Sequence, residues 1–224
     1  CSLRNLGGGG VAFAGGQRNA MIGCDLTGLG GTSCHLDAGD RNTLVRGDTV
    51  IANCRFSNFG VGMGLYGVGN RVTHCKFENS HTTAIWFKGS DHLVEYNEFR
   101  NVVNEGDDSG VIASWGNPTY RGNIWRFNRF SYCGGGYTQG GVTGWRYFGT
   151  NIFRFDDVIS GQNVYGNIVD HHDVWGTLAG AMEVNSGRDN IFDNNLILDS
   201  TSPNAGYHDA GNGLFRWWER TGDA

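Results

Sequence analysis

One phrase recurs seven times in this chain: a polar residue, then a hydrophobic residue, a Cys or Asn, and a second hydrophobic residue at offsets of two, five and seven. The copies are Asn19-Met21-Cys24-Leu26, Thr49-Ile51-Cys54-Phe56, Asn70-Val72-Cys75-Phe77 and His92-Val94-Asn97-Phe99, followed by Asn123-Trp125-Asn128-Phe130, Gln162-Val164-Asn167-Val169 and Asn190-Phe192-Asn195-Ile197. They begin 30, 21, 22, 31, 39 and 28 residues apart. Repeats of this length, each carrying one short strand signature, describe a stacked, solenoidal chain whose outward residues line up from copy to copy.

Composition agrees with a chain that turns often. The 224 residues include 38 glycines and only two prolines. Glycine supplies tight corners, and the scarcity of proline argues against a disordered Pro/Gly tract. Few stretches keep apolar residues at helical spacing for more than two turns. The formal charge of −5, with no basic run, argues against a nucleic-acid partner. No stretch approaches the roughly 20 apolar residues of a membrane helix. The chain reads as one domain, 1–224, and because it opens at Cys1 and stops just after Trp217-Trp218-Glu219, as one cut from a longer protein at both ends. Its oligomeric state is not legible.

Three of the six cysteines, Cys24, Cys54 and Cys75, fill the slot that Asn97, Asn128, Asn167 and Asn195 take in later copies. An inward stack of unpaired thiols is expected there, because parallel side chains in a ladder make bridging awkward. Cys1, Cys34 and Cys133 show no pairing logic, and no zinc spacing is present. The Asn side chains should bond from copy to copy as an amide ladder, with a bend of the chain beside them. Phe56, Phe77, Phe99 and Phe130 should stack in the core.

A second strand closes each copy. Alignment gives Gly62–Tyr66, Ala84–Lys88, Val111–Trp115, Ile152–Asp156, Ala181–Asn185 and a truncated Leu214–Trp217. Side chains alternate along a strand, so the second and fourth positions should point inward and the third and fifth should face solvent. The third column then reads Gly64, Trp86, Ala113, Arg154, Glu183 and Arg216; the fifth reads Tyr66, Lys88, Trp115, Asp156 and Asn185. Aromatics, bases and acids on one sheet face form a sugar-binding composition. Extra length falls in loops around Asn104–Asp108 and Cys133–Tyr137, and long loops on a regular scaffold carry function.

Three groups of residues resemble a known family. They are Gly69–Cys75 with Asp91–Glu98, then Asp108-Ser109-Gly110-Val111-Ile112, and then Phe153–Asp157 with Gly187-Arg188-Asp189-Asn190 and Asn194-Asn195. These resemble the paired coil phrases, the Asp-x-Gly-Ala-Ile-Tyr segment and the Ile-Tyr-Leu-Asp-Asp and Gly-Arg-Asp-Asn segments of bacterial right-handed parallel β-helix proteins. That group is the pectate-lyase-like superfamily, in its carbohydrate-active branch. The resemblance implies an all-β, single-stranded right-handed parallel β-helix of about seven coils. It also implies a secreted or periplasmic location and a polysaccharide or oligosaccharide substrate. The chain departs from the pattern where Ala113 and Arg154 replace the family's tyrosine and where Ser114-Trp115-Gly116-Asn117-Pro118 replaces its Gly-Arg-Asp-Trp turn.

Glycoside hydrolysis by two carboxyl groups is the leading chemistry. The resemblance points to Asp108 and to the Asp156-Asp157 pair, while column geometry adds Glu183, with its Cα roughly 8 Å from that of Asp156. Side chains of Asp156 and Asp157 diverge on a strand, so Asp157 alternatively caps the turn. Asp108 lies at the opposite end of its strand and meets Asp156 only if its loop folds over the sheet. His81 occupies the matching place one copy earlier, where a His/Asp pair suits proton transfer; bonding to turn backbone is the alternative for both. Arg154 is read either as the ion-pair partner of Glu183 or as a ligand for a sugar carboxylate. Trp86 and Trp115 offer faces for sugar stacking, and Lys88 stands beside them. His171-His172-Asp173 is read as a polar turn. No cofactor or metal is expected for a hydrolase. A polysaccharide lyase would instead gather Ca²⁺ with Asp107, Asp108, Asp156 and Asp157, and a non-catalytic glycan-binding fibre would need the columns but no converging acids.

Overall fold

The computed structural model describes residues 1–104, 108–134, 150–170 and 181–198, with the backbone of Phe215–Trp218. Every regular element among them is a β-strand. All pairings are parallel except the short one between Asp40 and Val45 at the end of strand Asp25–Asp40. The strands form two sheets, a curled one of 15 strands and a second of seven. This corrects the expected single-stranded right-handed β-helix of about seven coils. Strands Asp25–Asp40 and Arg55–Val68 each run unbroken through what the repeat pattern divides in two. Arg55–Val68 pairs with Lys76–Ser80 through its first half and with Ile85–Ser90 through its second. It therefore joins two wings into one sheet. Glycine is the physical reason: a Cβ on Gly30 would lie 2.7 Å from the Gly7 carbonyl, and one on Gly60 would lie 2.6 Å from the Gly30 carbonyl of the neighbouring strand. Only a bare backbone bends there without leaving the ladder.

The recurring phrase sets the register throughout. In the seven-stranded sheet Met21 pairs with Ile51, Ile51 with Val72, Val72 with Val94, Val94 with Trp125, Trp125 with Val164 and Val164 with Phe192. In one wing of the larger sheet Phe56, Phe77, Phe99 and Phe130 are register partners. Their rings stack at 4.6, 4.9 and 4.7 Å within 8° of parallel. The other wing turns Met63, Leu65, Ile85, Phe87, Phe153 and Phe155 inward. Phe87 meets Trp125 at 4.8 Å, and Phe130 meets Phe153 at 5.2 Å. The three walls thus close on one core.

Each phrase is bracketed by two left-handed corners. The residue before the Cys/Asn slot has positive φ in every copy (Gly23, Asn53, His74, Tyr96, Phe127, Gly166, Asn194), and so does the residue before the opening polar position (Arg18, Asp48, Gly69, Asp91, Gly122, Gly161, Asp189). The expected bend is therefore real and occurs twice. A left-handed non-glycine residue costs roughly 1 kcal/mol, and hydrogen bonds just after each corner offset it. At the Cys/Asn slot, Asn97, Asn128, Asn167 and Asn195 form the expected ladder: each Nδ2 of the first three donates to the next Oδ1 at 2.9–3.1 Å, and the same Oδ1 accepts the preceding backbone N–H. Cys54 Sγ does the same for the Cys24 N–H at 3.4 Å. All six cysteines are free thiols.

A second ladder, unread in the sequence, runs through the opening polar positions. Thr49 N–H donates to Asn70 Oδ1, Asn70 N–H to His92 Nδ1, His92 N–H to Asn123 Oδ1, and Gln162 N–H to Asn190 Oδ1. Asn123 Nδ2 links the middle by donating to Gln162 Oε1 at 3.1 Å. Replacing Asn128 with leucine strands the Asn97 backbone N–H and one N–H of Asn97 Nδ2 in the interior. A loss of roughly 1–3 kcal/mol for each stranded group is expected, readable as a lower midpoint in urea unfolding; an unchanged midpoint would mean that the ladder contributes nothing.

Candidate functional site

The site candidates stand on the wing formed by Ile85–Ser90, Ser109–Trp115, Thr150–Asp156 and Met182–Asn185. Register places Gly64, Trp86, Ala113, Arg154 and Glu183 in one column. His35 extends it beyond Gly64, and Asp37 extends the neighbouring column beyond Tyr66.

The columns do not all face solvent as alternation predicts. Ala113 is buried, and the side chains of Arg154 and Glu183 are only 6% and 4% exposed. Charge explains the pair. Arg154 Nη2 contacts Asp156 Oδ2 at 3.0 Å, Glu183 Oε1 at 3.5 Å and, more closely still, Asp108 Oδ1. One guanidinium nitrogen thus gathers three carboxylates from three neighbouring segments. Asp108 reaches it from a left-handed corner with φ of 55°, and Gly110 clears the way, since a Cβ there would lie 2.8 Å from Arg154 Cβ. Asp108 and Asp156, expected to meet only if the Asp108 loop folds over the sheet, meet across Arg154. The nearest oxygens of Asp156 and Glu183 share that nitrogen, which puts them at or below the lower end of the roughly 6.5–9.5 Å spacing of inverting hydrolases.

Asp156 is held from both sides. Its Oδ1 accepts Asn185 Nδ2 at 2.6 Å and the Asp157 N–H at 2.9 Å. Burial alone would raise its pKa, but the Arg154 charge and these hydrogen bonds hold it below the ordinary carboxylate range. Burial likewise opposes the charge of Arg154, and Glu183, Asp156 and Asp108 more than restore it. Asp157 sits at the corner after the strand, and its carbonyl accepts the Gly116 N–H. His81 lies on the exposed turn before Ile85–Ser90. A 3.1 Å hydrogen bond between the Thr83 and Ser109 hydroxyls links that turn to the one carrying Asp108.

Beside the charged cluster lies an aromatic surface. Trp86 and Trp115 meet edge to face at 3.9 Å, and Trp115 is half exposed. Lys88 Nζ lies 5.8 Å from the Trp115 ring and 5.9 Å from that of Tyr66, which His35 meets at 4.8 Å. Tyr66 and Asn185 stand in the predicted columns but were not singled out as site residues. His35 joins them from strand Asp25–Asp40, which lies before the first outer strand that the repeat aligns.

Two of the four acids that a lyase would bring to Ca²⁺ are engaged by a cation. Asp108 and Asp156 are drawn to Arg154, and among the described residues no group of three or more His, Cys, Asp or Glu is placed to bind a metal. Asp107, His171-His172-Asp173 and the expected functional loop beyond Gly134 lie outside the described residues. Comparison with protein-family models and with curated proteins gives no match.

Proposed function

We propose that this protein is a carbohydrate-active enzyme that binds a saccharide on the Tyr66–Lys88–Trp115 face and hydrolyses a glycosidic bond at the adjoining carboxylates. The observation that carries the reading is the convergence of Asp108, Asp156 and Glu183 on Arg154, next to half-exposed indole. Aromatic faces suit the apolar faces of sugar rings, and an ammonium such as that of Lys88 suits their hydroxyls.

Exposure divides the roles. Asp108 is 51% exposed and Asp156 20%, against 4% for Glu183. The first two present themselves to substrate, while Glu183 holds Arg154 from beneath as a positioning residue. Asp156, kept ionised, acts as base or nucleophile. Asp108, with the freest solvent access of the three, exchanges the proton delivered to the leaving oxygen. Chemistry of this kind uses only the chain's own side chains.

A second reading, a non-catalytic glycan-binding surface, is favoured by one feature: Asp108 and Asp156 both rest on a guanidinium, an arrangement that suits fixed charge better than proton transfer. A panel of neutral and uronate-containing glycans, followed for new reducing ends and ultraviolet absorbance together, separates the readings. Reducing ends without absorbance support hydrolysis; absorbance from an unsaturated product would replace it with elimination. Silence in both, with binding retained, leaves the surface as a glycan receptor. Where turnover is seen, Asp156→Asn is expected to lower it about 10³-fold with unchanged circular dichroism. The amide retains the oxygen that Asn185 and the Asp157 N–H use, and full activity in that variant removes Asp156 from the mechanism.

A further inference from the structure

Past the last residues of the aromatic face, the same strands run into a cleft of about 710 Å³. Its walls come from the Asp40–Val45 hairpin, from Ser90 and Asp91 at the end of Ile85–Ser90, and from Thr119 to Gly122. Arg41 enters from the hairpin and is fixed there. Its guanidinium lies 4.4 Å from the centre of the Tyr120 ring, and Nη2 donates to Thr119 Oγ1 at 2.8 Å. Thr119 is placed in turn by Ser90 Oγ, which donates to its carbonyl at 3.1 Å.

The charges of the cleft are unequally matched. Arg121 is paired with Asp189 at 2.6 Å. Asp91 turns its carboxylate onto the backbone of Gly122, where a Cβ would lie 2.1 Å from Oδ1. Arg41 has no carboxylate partner among the described residues, and its Nε is buried without a hydrogen bond. A planar cation so held, with a donor edge unused, is built to receive an oxyanion. We propose that this cleft is an oxyanion site, taking a sulfate or carboxylate group borne by the saccharide that lies on the neighbouring aromatic face. The oxyanion chemistry rests on the cleft alone; its attachment to a saccharide rests on the function proposed above. Arg41 supplies the charge, and Thr119 fixes the fork.

Titration of the ¹⁵N-labelled chain with sodium sulfate, against sodium chloride at matched ionic strength, tests it. Saturable shifts are expected at the amides of Ser90, Thr119 and Gly122. Arg41→Met should weaken the response at least about tenfold, the scale of losing one charge-assisted hydrogen bond, with Arg41→Lys between. Leu44→Glu is a second variant that leaves Arg41 in place: Leu44 is 58% exposed and lines the cleft, so a new negative charge there should also abolish the response. No saturable shift, or equal shifts in both variants, overturns the site. A sulfated disaccharide binding more tightly than both sodium sulfate and its neutral parent supports the attachment to saccharide. Sulfate binding with no gain from the sugar leaves the oxyanion site standing and removes the glycan reading of the face beside it.

Discussion

Arg154→Met is expected to destabilise the protein by about 3–5 kcal/mol, the cost of removing one partner from a buried ion pair. The side chain it replaces is 6% exposed, and Glu183, at 4%, would stay in the interior and lose its 3.5 Å contact with the guanidinium. Methionine fills most of the volume, so the loss reports charge rather than a cavity. The pH dependence identifies the cause. Losing a cationic neighbour raises the folded-state pKa of a buried carboxylate, so the variant's deficit relative to the parent shrinks as pH falls and the group takes up a proton. In the parent protein Asp156 has the opposite sign: its pKa is lowered by Arg154 and its hydrogen bonds, so its contribution is present above the unfolded carboxylate range and is lost as pH falls through the folded value. Urea unfolding of both proteins between pH 3 and pH 7 reads the difference. A variant that loses stability on acidification in parallel with the parent would show that the cluster is not held by charge.

His92 is expected to give the parent protein a second acid limb, at higher pH. Burial, then the nearby charges of Arg46 and Arg41, push its pKa down from the ordinary 6.5 to about 3. Its Nδ1 accepts the Asn70 N–H, and its Nε2 faces Gly89, where a Cβ would lie 2.4 Å away. The ring has no room for a second proton and its counter-ion. Between about pH 6.5 and 3 the unfolded chain binds a proton that the folded chain refuses, so stability falls as pH falls, by roughly 1.4 kcal/mol per pH unit at most. His92→Asn should remove this limb while keeping the ladder, because asparagine occupies the same position in Asn70 and Asn123 and its Oδ1 accepts the same N–H. An unchanged slope of stability against pH in His92→Asn would place the acid sensitivity elsewhere.

Much of the scaffold was legible because its residues act locally and repeat. The offset of five between opening polar residue and slot placed the Asn97–Asn195 ladder, and the offset of seven placed the Phe56–Phe130 stack, since a side chain's direction follows from its distance to the nearest corner. The column assignments Trp86–Ala113–Arg154–Glu183 also agree with the observed register. Continuity of the strands was not legible. Glycine in general was expected at tight corners, whereas Gly30 and Gly60 serve as close-approach points within long strands. The His92 ladder escaped notice because Thr, Asn, His and Gln share no side-chain shape, only the capacity to accept an N–H.

The candidate site divides along the same line. By itself the sequence determined an all-β chain, which faces of its strands are apolar, and which polar side chains share a column, because those properties depend on spacing alone. Tertiary structure decided what the column residues meet. Asp108 crosses to Arg154 because a left-handed corner and a glycine bring its loop over the strand, and Arg154 and Glu183 are buried because opposite charges on neighbouring strands draw each other down. Arg41 reaches Thr119 across 78 residues of chain through the end of a hairpin. Contacts of that range depend on where whole strands end in space, and no local pattern of residues encodes them.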